Sequence, residues 1–300
     1  MAFGLDLIDW PWPWFAGWRG LGSLTSELVT EHGNICSALN AVHKSLLAKD
    51  SSDPTGLLED ISSAHSAKSE GDTVRAHTRF AHQIARASAT LTLGFGGAVE
   101  FVPQSDLPAD IAYEAFIFSH KHIPTRDNLH DFFNGLCWLR FPQAKSRLNF
   151  LQAQAIASEG VGATRGPLRD ALTLFDENVL LLQASDDLWR ALQVRDWEKL
   201  FCELRDEWQS AHIVNFGHAL LEKLVTPYKS ITAHVFRIAS DVDAKDDQVL
   251  DAWLANNLQP DYLTTKPYLP LPVLGIPGWW PDNETISFYE DQKVFRVSVV

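Results

Sequence analysis

The end of the chain carries too many prolines to form a long helix or a central strand. Five prolines occur between Pro267 and Pro281, in "PYLPLPVLGIPGWWP". Proline lacks a backbone N–H and fixes φ, so each one interrupts regular hydrogen bonding. The same stretch holds Leu274 and Trp279, which a solvated tail would expose to water. We therefore expect residues 262–300 to form an extended wrap, rich in proline and tryptophan, that packs across a core built by the rest of the chain.

The remaining sequence mixes helical and strand-like patterns without regular alternation. Apolar spacing predicts helices over 23–47, 73–88, 185–208, 210–225 and 243–257, and a strand over 231–239. "TLTLGFGGAVEFVPQ" predicts one β-hairpin, and "ALTLF" and "VLLLQ" on either side of "DEN" predict a second. Neither a repeat nor a βαβ pattern is evident, so we predict one α+β domain over residues 1–300 with short antiparallel hairpins. Residues 48–72, rich in Ser and Asp, are predicted to form a polar, mobile insertion.

Composition restricts the classes of partner. A net charge of -13 and a pI near 5.2 repel a phosphate backbone, so we expect no nucleic-acid binding. The apolar N-terminus lacks the early basic residues of a signal peptide, and no apolar run is long enough for a membrane span. Its tryptophans, within residues 10–18, are expected to pack on the domain. Cys36, Cys137 and Cys202 are isolated in sequence, which indicates reduced thiols and a cytoplasmic protein.

The stretch "IPTRDNLHDFFNGLCWLRFPQAK", residues 123–145, combines hydrogen-bonding groups with large aromatic residues. Pro124 and Thr125 are predicted to start a helix, with Thr125 as its cap. At helical spacing, the polar side chains gather opposite the apolar ones, and they are Asp127, His130, Asp131 and Asn134. Trp138 falls within this polar face, so we expect the face to be covered. Covered polar groups beside an aromatic ring are typical of a small-molecule site, whereas a solvated amphipathic helix is the alternative.

Other candidate residues lie further along the chain. Arg169 could bind an anionic substrate through its planar guanidinium, or it could pair with Asp170. His218 and Glu222 stand one helical turn apart and could together bind a divalent metal ion. Asp176 is a further candidate ligand. A His-x-x-x-Glu spacing also arises by chance, so this pattern alone predicts no particular metal.

Three separated segments, "PTRDNLHDFFNGLCWLRFPQAKSRLN", "RDALTLFDEN" and "LPVLGIPGWWPDN…FYEDQKVFR", resemble the bacterial family catalogued as domain of unknown function 3025. The resemblance runs from about Phe101 to Arg296 and supplies no reaction. It implies that the three segments belong to one domain. The candidate residues of all three would then converge on one cleft, with "GIPGWWPDN" as a lid whose Trp279 and Trp280 form aromatic walls.

Three functions stay open at this point. The first is a hydrolase for a small polar or anionic metabolite, using acid–base or metal-assisted chemistry. His130 would be its general acid or base, with Asp131 or Asp127 as the orienting or metal-binding partner. The ligand would be held by Arg126, Asn134, Trp138, Arg169, Trp279 and Trp280. The second is a non-catalytic protein that binds a small ligand with the same groups, and the third is a closed structural network.

Overall fold

The structure, a computed structural model, describes residues 3–50, 99–159 and 166–297. The α-helices are α1 (Arg19–His32), α2 (Ile35–Asp50), α3 (Tyr113–His120), α4 (Leu129–Arg140), α5 (Pro142–Glu159), α6 (Pro167–Asn178), α7 (Asp186–Val194), α8 (His218–Lys223), α9 (Asp247–Asn257) and α10 (Pro260–Thr264). The strands are β1 (Glu100–Pro103), β2 (His122–Thr125), β3 (Val179–Gln183), β4 (His212–Asn215), β5 (Thr232–Arg237) and β6 (Leu269–Pro272). The fold is a single α+β domain, as the sequence predicts.

The larger sheet has four strands in the order β4-β3-β5-β6. β3 and β5 are parallel in the centre, and each has an antiparallel neighbour at the edge. Because β3 is covered on both faces, Val179, Leu180, Leu181 and Leu182 are all buried, which explains the unbroken apolar run in the sequence. The predicted strand over 231–239 is confirmed as β5.

The predicted second hairpin is wrong. The segment "ALTLF" belongs to helix α6, which begins with Pro167 and buries Ala171, Leu172 and Phe175 at helical spacing. A short apolar alternation fits both a strand and one face of a helix, so the pattern could not decide between them. The chain passes directly from α6 into β3, and β3 pairs with β4 and β5.

The first arm of the other predicted hairpin lies outside the described residues. Its second arm contains β1, which pairs with β2 in parallel, in register Glu100 with His122. α3 forms the crossover between the two strands, so the expectation that the chain has no βαβ unit is wrong. The helix predicted over 73–88 and the insertion predicted over 48–72, beyond residue 50, also lie outside the described residues.

Helix α4 begins later than the sequence predicts. Thr125 is paired in β2, and the cap is Asn128, whose side-chain oxygen accepts the backbone N–H of Asp131 at 2.8 Å. Every residue from Asp131 to Leu139 is buried, whereas the His130 side chain is 34% exposed. The prediction that the polar side is covered is therefore confirmed for Asp131 and Asn134, but not for Asp127, which is exposed.

Both ends of the described chain pack on the domain. Trp14 and Trp18 are buried, as predicted, and the Trp18 indole N–H donates to the carbonyl of Asn215 at 3.0 Å. In the C-terminal segment, Leu274 and Trp279 are buried, and β6 adds an edge to the larger sheet. Among the described residues, no helix is both long enough and apolar enough to cross a membrane.

Candidate functional site

A cleft of about 480 Å³ lies among α3, α4, α5, α6 and the start of α8. Most of its wall is polar, and the polar side chains come from five helices and the segment before α4. They include Tyr113, Glu114, Arg126, His130, Asp131, Asn134, Lys145, Asn149, Gln152, Arg169, Thr173, Asp176, Glu177 and His218. Leu107, Ile117, Trp138, Leu148, Ile156 and Leu172 supply the apolar part.

One face of helix α5 lines this cleft. Lys145, Asn149, Gln152 and Ile156 lie three or four residues apart and therefore share one face of the helix. The three polar members of this row are buried, although such residues usually lie at the surface. A buried polar row beside a cavity indicates that the row faces a solvent- or ligand-filled space rather than the core.

Lys145 carries the most deeply buried charge of the cleft. Its ammonium donates to the side-chain oxygen of Asn134 at 2.8 Å and to a carboxylate oxygen of Asp176. It also lies 5.5 Å from the centre of the Trp138 ring. Burial is the largest single effect on Asp176 and acts to raise its pKa, but the charge and hydrogen bond of Lys145, together with the nearby His218 and His130, outweigh burial and lower that pKa. Asp176 therefore stays ionised beside the ammonium.

Two histidines extend this pair toward the opening of the cleft. Nδ1 of His218 lies 3.6 Å from Oδ2 of Asp176, and its Nε2 lies 3.1 Å from Nε2 of His130. Nδ1 of His130 in turn lies 2.9 Å from Oε2 of Glu222. The side chains of His130 and Glu222 are 34% and 39% exposed, so this end of the row of hydrogen-bonded side chains is open to solvent.

The turn before α8 explains why His218 reaches α6. A Cβ on Gly217 would lie 2.5 Å from the carbonyl oxygen of Glu177, so only glycine allows this close approach. The N–H of Gly217 also donates to the carbonyl of Val179 at 2.8 Å. The start of α8 is thereby held against the end of α6, which brings His218 beside Asp176.

Burial lowers the pKa of His218 to about 3, so its ring is neutral near pH 7. A neutral ring carries one N–H, and only one proton can lie between the two facing Nε2 atoms, so one of these rings donates to the other. Nδ1 of His130 is held by Glu222, which leaves Nε2 as the His130 nitrogen that can exchange a proton with a ligand.

The predicted partners of His130 have other roles. Asp131 binds the guanidinium of Arg126 with two hydrogen bonds, of 3.0 and 2.9 Å, and also accepts the Arg126 backbone N–H. Asp127 lies away from the cleft, where it accepts the backbone N–H of Ile35 at the start of α2 at 2.8 Å. Neither carboxylate orients His130, because Glu222 does so.

Trp279 and Trp280 do not line the cleft in the described part of the chain. Their rings lie 6.2 Å from Trp14 and 6.2 Å from Trp12, respectively, so they pack against the N-terminal segment. The expected lid is therefore wrong. Sequence reasoning placed these residues at the cleft because the family resemblance implied a common domain, which does not determine the side on which each segment packs.

The expected joint metal site of His218 and Glu222 is also wrong. These side chains contact opposite nitrogens of the His130 ring and share no space between them. Among the described residues, no group of three or more His, Cys, Asp or Glu side chains could hold a metal ion. His130 and His218 do point Nε2 toward each other, with a carboxylate near each opposite nitrogen, which is a common arrangement around a bound metal.

Of the predicted ligand residues, the structure brings Arg126, His130, Asp131, Asn134, Trp138 and Arg169 together at one cleft. The sequence analysis did not identify Tyr113, Glu114, Lys145, Asn149, Gln152 and Thr173, which line the same cleft. A signal for part of this set was present in "KSRLNFLQ", where Lys145, Asn149 and Gln152 repeat at helical spacing.

Comparison with known proteins gives one match. A model of the family described as "Protein of unknown function (DUF3025)" matches residues 99–298. This range contains every cleft-lining residue named above. No curated protein and no solved structure matches the chain.

Proposed function

The chain belongs to the DUF3025 family, whose description assigns no reaction, and we propose that it is a hydrolase acting on a small polar metabolite by acid–base chemistry. The observation that carries the proposal is the hydrogen-bonded chain Glu222–His130–His218, which opens into a polar cleft. A carboxylate that fixes one imidazole nitrogen and leaves the other to exchange a proton is a recurrent arrangement in general acid–base catalysis.

In the proposed reaction, His130 exchanges the proton at Nε2. As a base it takes a proton from a water molecule that attacks the substrate, and as an acid it returns that proton to the leaving group. Glu222 holds the ring orientation through Nδ1. The substrate atom would replace His218 as the partner of Nε2.

Lys145 could stabilise negative charge in the transition state. An ammonium has three N–H donors, and Asn134 and Asp176 take two of them. The third has no hydrogen-bond acceptor among the described residues, so it can donate to an oxygen of a ligand in the cleft. A buried, pre-oriented donor of this kind is worth more than the same donor in water, because it needs no reorganisation during the reaction.

A cytoplasmic location is part of the same proposal. Cys36, Cys137 and Cys202 are all free, and burial raises the pKa of the Cys137 thiol to about 12. Unpaired, protonated thiols are typical of proteins that work in a reducing compartment.

The proposal is tested by assaying hydrolysis of p-nitrophenyl acetate, p-nitrophenyl phosphate and bis-p-nitrophenyl phosphate. His130→Asn should lower the rate by about 100-fold or more, which is the usual contribution of a general acid or base. His32→Asn is the matched control, because His32 is exposed at the end of α1 and remote from the cleft. Equal rates for wild type and His130→Asn, or no hydrolysis by the wild type, would contradict the proposal.

A metal-assisted hydrolase is the second candidate, favoured by the two facing Nε2 atoms. Only two protein ligands are evident in the described residues, and the Lys145 ammonium nearby opposes a cation. Zinc analysis of the purified protein and loss of hydrolysis in a chelator would support this candidate. Hydrolysis that is unchanged by chelation would favour acid–base chemistry without a metal.

A further inference from the structure

Arg169 differs from the other two non-histidine cations of the cleft. Arg126 is bound by Asp131, and Lys145 is bound by Asp176. Arg169 has no carboxylate partner among the described residues, and its Nε is buried without a hydrogen-bond acceptor there. A buried N–H without a partner destabilises the fold, so such a group needs another explanation. An anionic ligand group would supply the missing acceptor.

The position of Arg169 sets the distance of such a group from the histidines. Arg169, Thr173 and Asp176 follow one face of α6, and all three line the cleft. Arg169 and Asp176 are seven residues apart, which corresponds to about 10 Å along a helix axis. Because Asp176 lies beside His218, the backbone positions of Arg169 and of the residue that contacts the histidine pair are separated by this distance along α6.

The remaining charges favour a ligand with a single negative group. When Arg126–Asp131 and Lys145–Asp176 are taken as neutral pairs, Arg169 is the remaining non-histidine cation of the described cleft residues, and the Glu177 carboxylate lines the same cleft. A dianion such as a phosphate monoester would bring a second negative charge that Arg169 alone does not neutralise and that Glu177 opposes. A single carboxylate matches the planar Nε and Nη donors of one arginine.

We propose that Arg169 binds a carboxylate, so that the substrate is an elongated monocarboxylate whose reacting bond lies about 10 Å from that group. This inference rests on the proposed function for the position of the reacting bond. The binding of a carboxylate by Arg169 can be measured without any turnover.

The experiment uses N-acetylglycine, N-acetyl-γ-aminobutyrate and N-acetyl-ε-aminohexanoate as carboxylate probes of increasing length, with inorganic phosphate as a second anion. Binding is followed by calorimetry and by the NMR cross-peak of the Arg169 Nε–H, which is assigned by its absence in Arg169→Lys. We expect the longest probe to bind most tightly, to shift this cross-peak, and to bind about tenfold or more weakly to Arg169→Gln. Arg190→Gln is the matched control, because the Arg190 side chain is 71% exposed and remote from the cleft.

The inference is overturned if no carboxylate probe binds, if the cross-peak does not move, or if Arg169→Gln binds as the wild type does. Tighter binding of phosphate than of the longest carboxylate overturns the assignment to a monocarboxylate. Carboxylate binding that depends on Arg169, without hydrolysis of any p-nitrophenyl ester, would leave this inference standing and defeat the proposed hydrolase. If hydrolysis depends on His130 but the carboxylate probes bind equally well to Arg169→Gln, the proposed hydrolase stands and the assignment of a carboxylate to Arg169 is overturned.

Discussion

The molecule contains two buried polar clusters that are built in different ways. In the C-terminal cluster, the amide of Asn283 donates to the carbonyls of Leu274 and Ile276 at 2.8 and 2.7 Å. The carbonyl of Asn283 accepts from the Tyr289 hydroxyl at 2.9 Å and from Arg205 at 3.2 Å. Asn283 is fully buried and does not line the cleft. This cluster is closed, because its polar atoms satisfy one another.

The cleft cluster, formed by Lys145, Asp176, His218, His130 and Glu222, is open at one end. Nδ1 of His218 is buried and lacks a hydrogen bond among the described residues. Solvent reaches His130 and Glu222. Closed networks fix a chain path, whereas polar groups left unsatisfied beside a cavity are available to a ligand. We therefore expect a variant at the open end of the cleft cluster, such as one at His130, to reduce function more than stability, and variants of the C-terminal cluster to do the opposite. The buried Lys145–Asp176 pair at the inner end of the cleft cluster should contribute to stability as well.

Lys145→Met should have the largest effect on stability. It leaves the Asp176 charge, whose side chain is only 21% exposed, without its ammonium partner. Breaking a buried ion pair in this way costs about 3–5 kcal/mol, and we expect the lower end, measured by urea unfolding. The double variant Lys145→Met with Asp176→Asn removes both charges and should recover at least half of the loss. A single variant as stable as the wild type would refute the pairing.

Asn283→Ala should cost about 2 kcal/mol of unfolding free energy, because it leaves two buried carbonyls without donors. Asn256→Ala is the control, since Asn256 is exposed and its amide donates to one carbonyl of its own helix. Folded Asn283→Ala should bind the carboxylate probes as the wild type does. Loss of binding at unchanged stability would mean that the C-terminal cluster is not merely structural.

His218 should make stability depend on pH. Burial lowers its folded pKa from 6.5 to about 3, so below pH 6.5 the unfolded chain takes up a proton that the folded chain does not. Stability contributed by the neutral ring is therefore lost as pH falls from about 7 toward 3. Relative to His218→Asn, the wild type should lose about 2 kcal/mol between pH 7 and pH 5. Parallel stability curves for the two proteins would show that His218 is not held neutral.

Local signals in the sequence predicted part of the fold, although the helix predicted over 210–225 is wrong in its first half, which forms strand β4. The predicted helix over 243–257 corresponds to α9, whose cap, Asp246, accepts the N–H groups of Gln248 and Val249. Trp138 correctly indicated that Asp131 and Asn134, on the polar side of α4, are covered. Each of these features depends on residues that are close together in the chain, where spacing and capping chemistry are informative.

Long-range contacts account for what sequence reasoning missed. His130 and Glu222 are 92 residues apart, and no local pattern connects a histidine on α4 with a glutamate on α8. Asp131 was the nearer candidate, but Arg126, five residues away, takes its carboxylate. The side on which Trp279 packs depends on the N-terminal segment, which lies outside the family match.

The most direct test of the comparison is the unfolding free energy of His130→Ala beside that of Asn283→Ala. We predict a loss below about 1 kcal/mol for His130→Ala, because Glu222 can be solvated and His218 still faces the cleft. Hydrolysis of the p-nitrophenyl esters should be lost in the same protein. A loss as large as that of Asn283→Ala would contradict this prediction, since it would mean that the cleft cluster serves to hold the fold together.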